Sequence, residues 1–208
     1  MTTLLHLNVS PRGDQSTSRR AGQRVREQLA AQCGNLTVVE RDLAADPLPP
    51  IGADFTHANM VEAAKRTDAD PAALALSETL IAELQAADIV LITTPVHNFT
   101  VPATLKTWID LVVRPERTFA GSPQGKLPLL RDRPVLAIVS CGGRFHEGEG
   151  SQQDFFTPYL KYVLEIIGLK RVEVMRLEGM VRPEAVTRAF EQLEAWCDTA
   201  LPGFLEAA

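Results

Sequence analysis

The sequence predicts an α/β protein built on a doubly wound, five-stranded parallel sheet of order 2-1-3-4-5, with helices on both faces. Five short apolar runs alternate with longer segments whose apolar residues recur at helical spacing. The third run, residues 89–92, is apolar throughout and rich in β-branched residues, which is typical of a strand buried on both faces of a parallel sheet. Polar loops follow three of the runs, at the edge where open α/β sheets bind ligands.

The composition is that of an ordinary globular protein. The chain has 208 residues, of which 45% are hydrophobic and 23% charged, and its net charge is −5, which favours one domain spanning residues 1–208. The mild acidity argues against nucleic acid or an anionic membrane as a main partner. Arg19, Arg20, Arg24 and Arg26 recur at helical spacing among polar residues, a pattern that favours a solvated helix face.

Cysteine and histidine usage narrows the class of protein further. The three cysteines form no CxxC pair, which favours a reducing, cytoplasmic location over a disulfide framework. The first residues lack the basic and apolar regions of a signal sequence, and no apolar run is long enough to span a bilayer. The four histidines show neither HExxH nor cysteine-coupled spacing, so no protein-bound metal is expected.

The first predicted strand, residues 4–9, leads into a loop dense in hydroxyl groups. Ser10 lies at the strand tip, and Ser16, Thr17 and Ser18 lie where helix N-caps occur. Free N–H groups at a helix N-terminus beside hydroxyl groups favour phosphate binding, and a plain N-cap is the alternative. The loop contains neither GK[ST] nor GxGxxG, so neither a nucleoside triphosphate nor a Rossmann dinucleotide is favoured.

The later elements continue the alternation of strands and helices. Prolines at 47, 49 and 50 forbid regular structure after the second strand. Residues 114–127 form a loop too long for a plain connection, a length usual in functional or mobile loops. The predicted strands are residues 36–43, 89–92, 134–139 and 171–177, and the predicted helices are residues 56–66, 71–86, 102–112, 155–167 and 183–201.

Two more loops lie at the same sheet edge. The loop after the third strand contains Pro95, Val96, His97, Asn98 and Phe99, and Pro102 then suits the first turn of a helix. The loop after the fourth strand contains Ser140, Cys141, Gly142 and Gly143. Paired glycines let a backbone approach a flat ligand closely, although a plain turn explains the pair taken alone. With the predicted strand order, all three loops converge at the switch point of the sheet.

At these loops the chain resembles the flavin-dependent NAD(P)H azoreductase and quinone reductase family, which has the flavodoxin-like fold. The resemblance covers nearly the whole chain and implies FMN as the cofactor. The first loop would hold the FMN phosphate, the second would lie along the isoalloxazine edge, and the third would contact its pyrimidine side. The cofactor-binding residues implied are Ser10, Ser16, Thr17, Ser18, Pro95, Val96, His97, Asn98, Phe99, Ser140, Cys141, Gly142 and Gly143.

The resemblance also implies an assembly and a substrate pocket. Family members are homodimers with two sites at the interface, and residues 114–119 would help to wall the partner's site. Phe119, Phe145 and His146 are expected in the substrate pocket, and His97 and His146 are the candidates for donating a proton or hydrogen-bonding the acceptor.

The chain departs from the family pattern at two positions. His97 stands where family members usually have tyrosine, and it would act either as a neutral stacking surface or as a titrating group. Cys141 occupies a variable position and is interpreted as a small buried residue rather than a redox thiol.

The implied activity is ping-pong hydride transfer from NADH or NADPH, by way of FMN, to a quinone or an azo compound. A flavodoxin-type electron carrier that acts with protein partners is the alternative. The long segments 44–72 and 114–128 favour the enzyme because they resemble walls of a substrate pocket. A signalling receiver would need acidic residues at the first strand tip, and a phosphatase of this topology would need a cysteine in its phosphate loop. Neither is present.

Overall fold

The computed structural model describes residues 1–145 and 150–206. The strands are β1 (Thr2–Asn8), β2 (Leu36–Asp42), β3 (Ile89–Pro95), β4 (Phe119–Ser122), β5 (Gly125–Pro128), β6 (Val135–Ser140) and β7 (Val172–Leu177). The helices are α1 (Thr17–Cys33), α2 (Ala53–Met60), α3 (Asp70–Ala86), α4 (Ala103–Val112), α5 (Phe156–Ile167), α6 (Pro183–Thr199) and α7 (Leu201–Glu206). None of the described helices is both long and apolar enough to cross a membrane.

The main sheet confirms the predicted topology. Its strands run parallel in the order β2-β1-β3-β6-β7, which is 2-1-3-4-5 when the strands of this sheet are counted along the chain. The apolar run that begins β3 is almost completely buried, because this strand lies between β1 and β6 and is covered on both faces. The doubly wound order places the switch point between β1 and β3.

Alternation along the strands divides the core between the two faces of the sheet. Leu5, Leu7 and Val9 lie on one face with the apolar side chains of α3, α4 and α5. Leu4 points to the opposite face, where it joins the apolar side chains of α1 and α6. Helices therefore cover both faces, as predicted.

Helix α1 approaches the sheet closely at Gly22. A β-carbon at this position would come 2.3 Å from Cγ2 of Thr93 on β3 and 3.2 Å from Nε2 of His6 on β1. Both neighbours are buried, so neither can move aside freely. The glycine lets α1 lie directly over the strand that leads into the second loop.

Three predicted elements differ in the structure. Residues 114–127, predicted as a loop, include most of the antiparallel hairpin β4–β5, in which a turn at residues 123–124 joins a largely half-buried strand to an exposed one, and Gly125 after the turn has φ of +122°. The helix predicted at 56–66 begins at Ala53 and ends at Met60, because Val61 has extended backbone angles. The closing helix is interrupted at Ala200, beyond which α7 begins.

Candidate active site

The N-terminus of α1 carries unused hydrogen-bond donors. Ser16 is the N-cap, and its Oγ accepts from the N–H of Arg19 at 3.3 Å. Within the described residues, the N–H groups of Thr17 and Ser18 have no protein acceptor. Ser18 is fully buried and its Oγ lies 3.1 Å from Oγ of Ser16, so it supports the cap. Two free N–H groups beside the hydroxyls of Ser16 and Thr17 are a suitable donor set for an anionic oxygen group.

An arginine that was predicted to lie on a solvated helix face fixes this loop. Arg19 binds both carboxylate oxygens of Asp42, each at 2.6 Å, and also donates to the carbonyl oxygen of Ser10. The hydrogen bonds from Arg19 hold the pKa of the Asp42 carboxyl below its usual range. Helical spacing among polar residues gave no sign of this pairing, because Asp42 is distant in sequence, at the end of β2.

The loop after β3 is a tight turn with a strained backbone. His97 and Thr100 exchange backbone hydrogen bonds of 3.0 and 3.1 Å, and the two residues between them, Asn98 and Phe99, have φ of +46° and +74°. A bulky side chain is rare in this conformation, and such strain clusters at functional sites. In the described part of the chain, the N–H groups of Asn98 and Phe99 have no protein acceptor. The turn therefore presents two free donors beside the tip of β3.

The loops after β6 and β7 are joined by backbone hydrogen bonds. The N–H of Cys141 donates to the carbonyl oxygen of Leu177, the N–H of Met180 to that of Cys141, and the N–H of Gly179 to that of Gly143, each at 3.0 Å. These bonds make one continuous wall at the carboxyl edge of the sheet. The wall was not predicted from the sequence, because its hydrogen bonds join segments that are distant along the chain.

Cys141 belongs to this wall and is chemically quiet. Its side chain is buried, and its Sγ lies 3.5 Å from the carbonyl oxygen of Gly143 and 3.6 Å from that of Leu177. Burial raises the pKa of the Cys141 thiol to about 12, so the thiolate is scarce at neutral pH. The structure thus agrees with its interpretation as a small buried residue.

The two glycines of the third loop have different surroundings. A β-carbon on Gly143 would come 2.4 Å from Oε1 of Gln152, so this residue makes room for the Gln152 amide. A β-carbon on Gly142 would meet only Cγ1 of Val181, at 3.4 Å. Gly142 is exposed to the adjoining cleft, and among the described residues its N–H has no protein acceptor.

The three predicted loops meet in one cleft of about 210 Å³. Most of the predicted cofactor residues line it, and three further residues that the sequence analysis did not select line it too: Arg12, Met180 and Val181. The predicted residues that line the cleft are Ser10, Ser16, Thr17, Pro95, Val96, His97, Ser140, Cys141 and Gly142. The predicted residues that lie beside the cleft without lining it are Ser18, Asn98, Phe99 and Gly143.

Two of the three predicted substrate residues, Phe119 and Phe145, do not line this cleft. Phe119 lies on β4, where Nζ of Lys126 is 4.3 Å from the centre of its ring, and Phe145 donates its N–H to Oε2 of Glu178 at 3.1 Å. Neither side chain lines the cleft in one copy of the chain. His146 lies outside the described residues, whereas His97 is exposed at the rim of the cleft.

A larger cavity of about 660 Å³ runs beside α1 and does not coincide with the predicted site. Its lining includes Arg26 and Glu40, which form an ion pair of 2.8 Å, and Arg24 and Glu27, which form one of 3.3 Å. Because its charges are largely paired and it lies on the flank of the sheet, the smaller cleft at the carboxyl edge is the better candidate for the active site.

Comparison with known proteins identifies the family to which the chain belongs. A family model described as "Flavodoxin-like fold" matches residues 2–201. The FMN-dependent NADH:quinone oxidoreductase 2 of Cupriavidus pinatubonensis is 59% identical over 197 residues, which cover 94% of this chain and 96% of that protein. The FMN-dependent NADH:quinone oxidoreductase 4 of Pseudomonas fluorescens is 46% identical over 190 residues, which cover 91% and 90% of the two chains.

Among solved structures, an azoreductase from Bacillus anthracis str. Sterne superposes with a TM-score of 0.82 at 26% identity, over 95% of this chain and 99% of that one. Sequence similarity and fold similarity therefore indicate the same family. The chain therefore belongs to the flavodoxin-like family, in which FMN-dependent NADH:quinone oxidoreductases are its relatives.

Proposed function

We propose that this protein is an FMN-dependent NADH:quinone oxidoreductase that also reduces azo compounds, and that residues 1–208 form a single FMN-binding domain. The observation that carries the proposal is the cleft at the switch point, which is lined by the start of α1 and borders the turn whose Asn98 and Phe99 N–H groups have no protein acceptor among the described residues. Relatives named as FMN-dependent NADH:quinone oxidoreductases at 59% and 46% identity support the same activity.

The donors at the start of α1 suit the FMN phosphate. The N–H groups of Thr17 and Ser18 and the hydroxyls of Ser10, Ser16 and Thr17 supply neutral donors to its oxygens. Arg12, which belongs to the same loop and also lines the cleft, adds a positive charge. Ser18 contributes through its N–H, since its hydroxyl is engaged with Ser16.

The other end of the cleft suits the flavin ring. The side chains of Pro95, Val96, Met180 and Val181 provide an apolar lining for a flat aromatic group. We assign the remaining ring contacts to residues whose backbone N–H groups or side chains border the cleft, namely His97, Asn98, Phe99, Ser140, Cys141, Gly142 and Gly143.

When bound, FMN supplies the hydride chemistry, and the protein supplies position, hydrogen-bond donors and exclusion of water. The N–H groups of Asn98 and Phe99 would address the N5 edge of the ring, and those of Gly142 and Gly143 would face its pyrimidine side, where negative charge accumulates on reduction. These donors are held rigidly by the turn after β3 and by the wall that joins the β6 and β7 loops, so they need little reorganisation.

A side chain that titrates is not required for hydride transfer itself. His97 at the rim is positioned to hydrogen-bond an acceptor or to donate a proton to it. His146 keeps the same proposed role, and Phe145 and His146 remain proposed substrate contacts.

We further propose that the protein is a homodimer whose two sites lie at the interface. Phe99, Phe155 and Val181 lie in strand-to-helix connections at the carboxyl edge and are 49%, 51% and 78% exposed. Exposed apolar side chains grouped near a cleft favour burial against another surface. In such a dimer Phe119, which lies away from the cleft of its own chain, would wall the cleft of the partner.

We also propose that the protein is located in the cytoplasm. Cys33, Cys141 and Cys197 are free thiols, which is consistent with a reducing compartment.

The deciding experiment is an anaerobic spectral titration of the purified protein with FMN, followed by NADH and then a benzoquinone. Bound flavin that bleaches with NADH and regains its colour with quinone is the expected result. Bound flavin that NADH does not reduce, together with a stable neutral semiquinone on chemical reduction, would establish the electron carrier instead. Absence of flavin binding would refute the assignment of all three loops.

A further inference from the structure

A second cleft, of about 290 Å³, adjoins the wall between the β6 and β7 loops. Its lining carries four guanidinium groups, those of Arg144, Arg176, Arg182 and Arg188, against the single carboxylate of Glu178. This cleft, called the arginine cleft below, is positively charged, whereas the whole chain has a net charge of −5. A concave surface lined by one sign of charge attracts ligands of the opposite sign.

Among the described residues, most of the positive charge in the arginine cleft has no carboxylate partner. Arg176 is paired, with Nη1 2.6 Å from Oδ2 of Asp154 and Nε 3.3 Å from Oε1 of Glu178. Within residues 1–145 and 150–206, the side chains of Arg144 and Arg182 have no hydrogen-bond or ion-pair partner, and that of Arg188 reaches only a backbone oxygen, at 3.4 Å. Guanidinium groups that lack a carboxylate partner are free to bind an anion, and their planar donors match phosphate oxygens.

The arginine cleft and the proposed flavin cleft lie on two sides of the same wall. Gly142, Met180 and Val181 line the flavin cleft, whereas Arg144 and Arg182, only one or two residues further along the chain, line the arginine cleft. The bond from the N–H of Gly179 to the carbonyl oxygen of Gly143 joins the two segments of the wall. The arginine cleft therefore shares a wall with the cleft in which a hydride donor would meet the flavin.

We propose that the arginine cleft binds the phosphate groups of the dinucleotide hydride donor. This inference rests on the proposed function, because it assumes that NADH or NADPH delivers hydride in the flavin cleft. The donor's pyrophosphate needs a partner other than the start of α1, which is assigned to the FMN phosphate, and the chain has no GxGxxG loop to supply one. The source of the bound phosphate is either the pyrophosphate, common to both donors, or the 2′-phosphate of NADPH.

The test compares the FMN-loaded protein with its double variant Arg182→Gln/Arg188→Gln. Calorimetric titration uses ADP-ribose, which carries the pyrophosphate without the nicotinamide, and 2′-phospho-ADP-ribose. Stopped-flow reduction uses NADH, NADPH and reduced nicotinamide riboside, which has no phosphate. The control is Arg24→Gln/Arg131→Gln, which removes the same charge from exposed sites outside both clefts.

We expect the double variant to bind ADP-ribose about tenfold more weakly and to need about tenfold more NADH for half-maximal reduction, since each lost phosphate contact is charge-assisted. The rate at saturating donor and the reduction by the riboside should not change. A loss confined to 2′-phospho-ADP-ribose and NADPH would identify the 2′-phosphate as the ligand and also support the proposal.

Two results would overturn the proposal. One is unchanged binding of both ADP-ribose compounds, and the other is an equal loss with the phosphate-free riboside, which would indicate a structural effect. Failure of the proposed function gives a different result, because flavin in the unaltered protein would then resist reduction by every donor, including the riboside.

Discussion

Arg19 and Asp42 form a two-point ion pair in which Nη1 and Nη2 each lie 2.6 Å from a carboxylate oxygen. The same guanidinium donates to the carbonyl oxygen of Ser10 at 3.0 Å from Nε and 2.7 Å from Nη2. One side chain of α1 thereby fixes the tips of β1 and β2, where the proposed phosphate site begins. A planar guanidinium can make these four contacts at once, whereas a lysine cannot.

Arg19→Gln should therefore weaken FMN binding. The loss of charge-assisted bonds, each worth roughly 1.5–3 kcal/mol in a partly buried site, frees the Ser10 loop and lowers FMN affinity about tenfold. Fluorescence titration of the apoprotein with FMN measures the change. Arg24→Gln is the control, since Arg24 is on the exposed side of the same helix; equal affinity of the two variants would contradict the role given to Arg19.

Variants of Ser16 and Thr17 should distinguish a residue that caps α1 from a residue that only binds FMN. Ser16→Ala removes the N-cap acceptor and should lower the free energy of unfolding of the apoprotein by about 1 kcal/mol, in addition to weakening FMN binding. Thr17→Val should lower FMN affinity by about 1 kcal/mol and leave apoprotein stability nearly unchanged, since no protein group in the described residues bonds its hydroxyl. Urea unfolding and FMN titration of both variants give the comparison, and unchanged FMN affinity in Thr17→Val would move the phosphate elsewhere.

Gly22→Ala should destabilise the fold. Its β-carbon would come 2.3 Å from Cγ2 of Thr93, and a forced displacement in a packed core costs about 1–3 kcal/mol. Urea unfolding measures the loss. Thr93→Ser removes the clashing methyl group and keeps the hydroxyl, so stability should be partly recovered in the double variant; a double variant as unstable as the sum of the two single variants would refute the steric cause.

His6 should make stability depend on pH in the mildly acidic range. Burial is the largest cause that lowers its pKa from 6.5 to about 3, and Nε2 lies 3.3 Å from Oγ1 of Thr93. Because folding disfavours the charged ring, the contribution of His6 is fully present above its unfolded pKa and is lost as the pH falls below 6.5 towards the folded value. Between pH 7 and 5 this loss amounts to about 2 kcal/mol.

Urea unfolding of the wild type and of His6→Gln at pH 7 and pH 5 tests this dependence. The wild type should lose the larger share of its stability on acidification, and the variant should lose much less. The same pH slope in both proteins would show that another group is responsible.

Phe119→Ala should change the kinetics of acceptor reduction while FMN stays bound, if Phe119 walls the partner's cleft. Steady-state assays with several quinones and one azo compound measure KM and kcat for each acceptor. Leu127→Ala is a matched control, because Leu127 lies opposite Ala120 on the same hairpin and is exposed. Unaltered kinetics with every acceptor would remove Phe119 from the pocket.

Several features of the site were predictable because their causes are local. A continuous apolar run rich in β-branched residues defines β3, and a proline suited to the first turn of a helix stands immediately before α4, so the position of the intervening loop followed from neighbouring residues. The hairpin β4–β5 was not predicted because its strands have only four residues each, contain glycine or proline and lack apolar alternation.

By itself the sequence determined the order of strands and helices, the sheet in which they lie and the three loops that meet at its carboxyl edge. These follow from apolar periodicity and from turn and capping residues, which act over a few positions. Only the tertiary structure decided that Ser18 faces inward, that Arg19 binds Asp42, and that Met180 and Val181 complete the cleft. Each of these outcomes depends on side-chain packing or on contact between distant segments, and such contacts exist only once the sheet has formed.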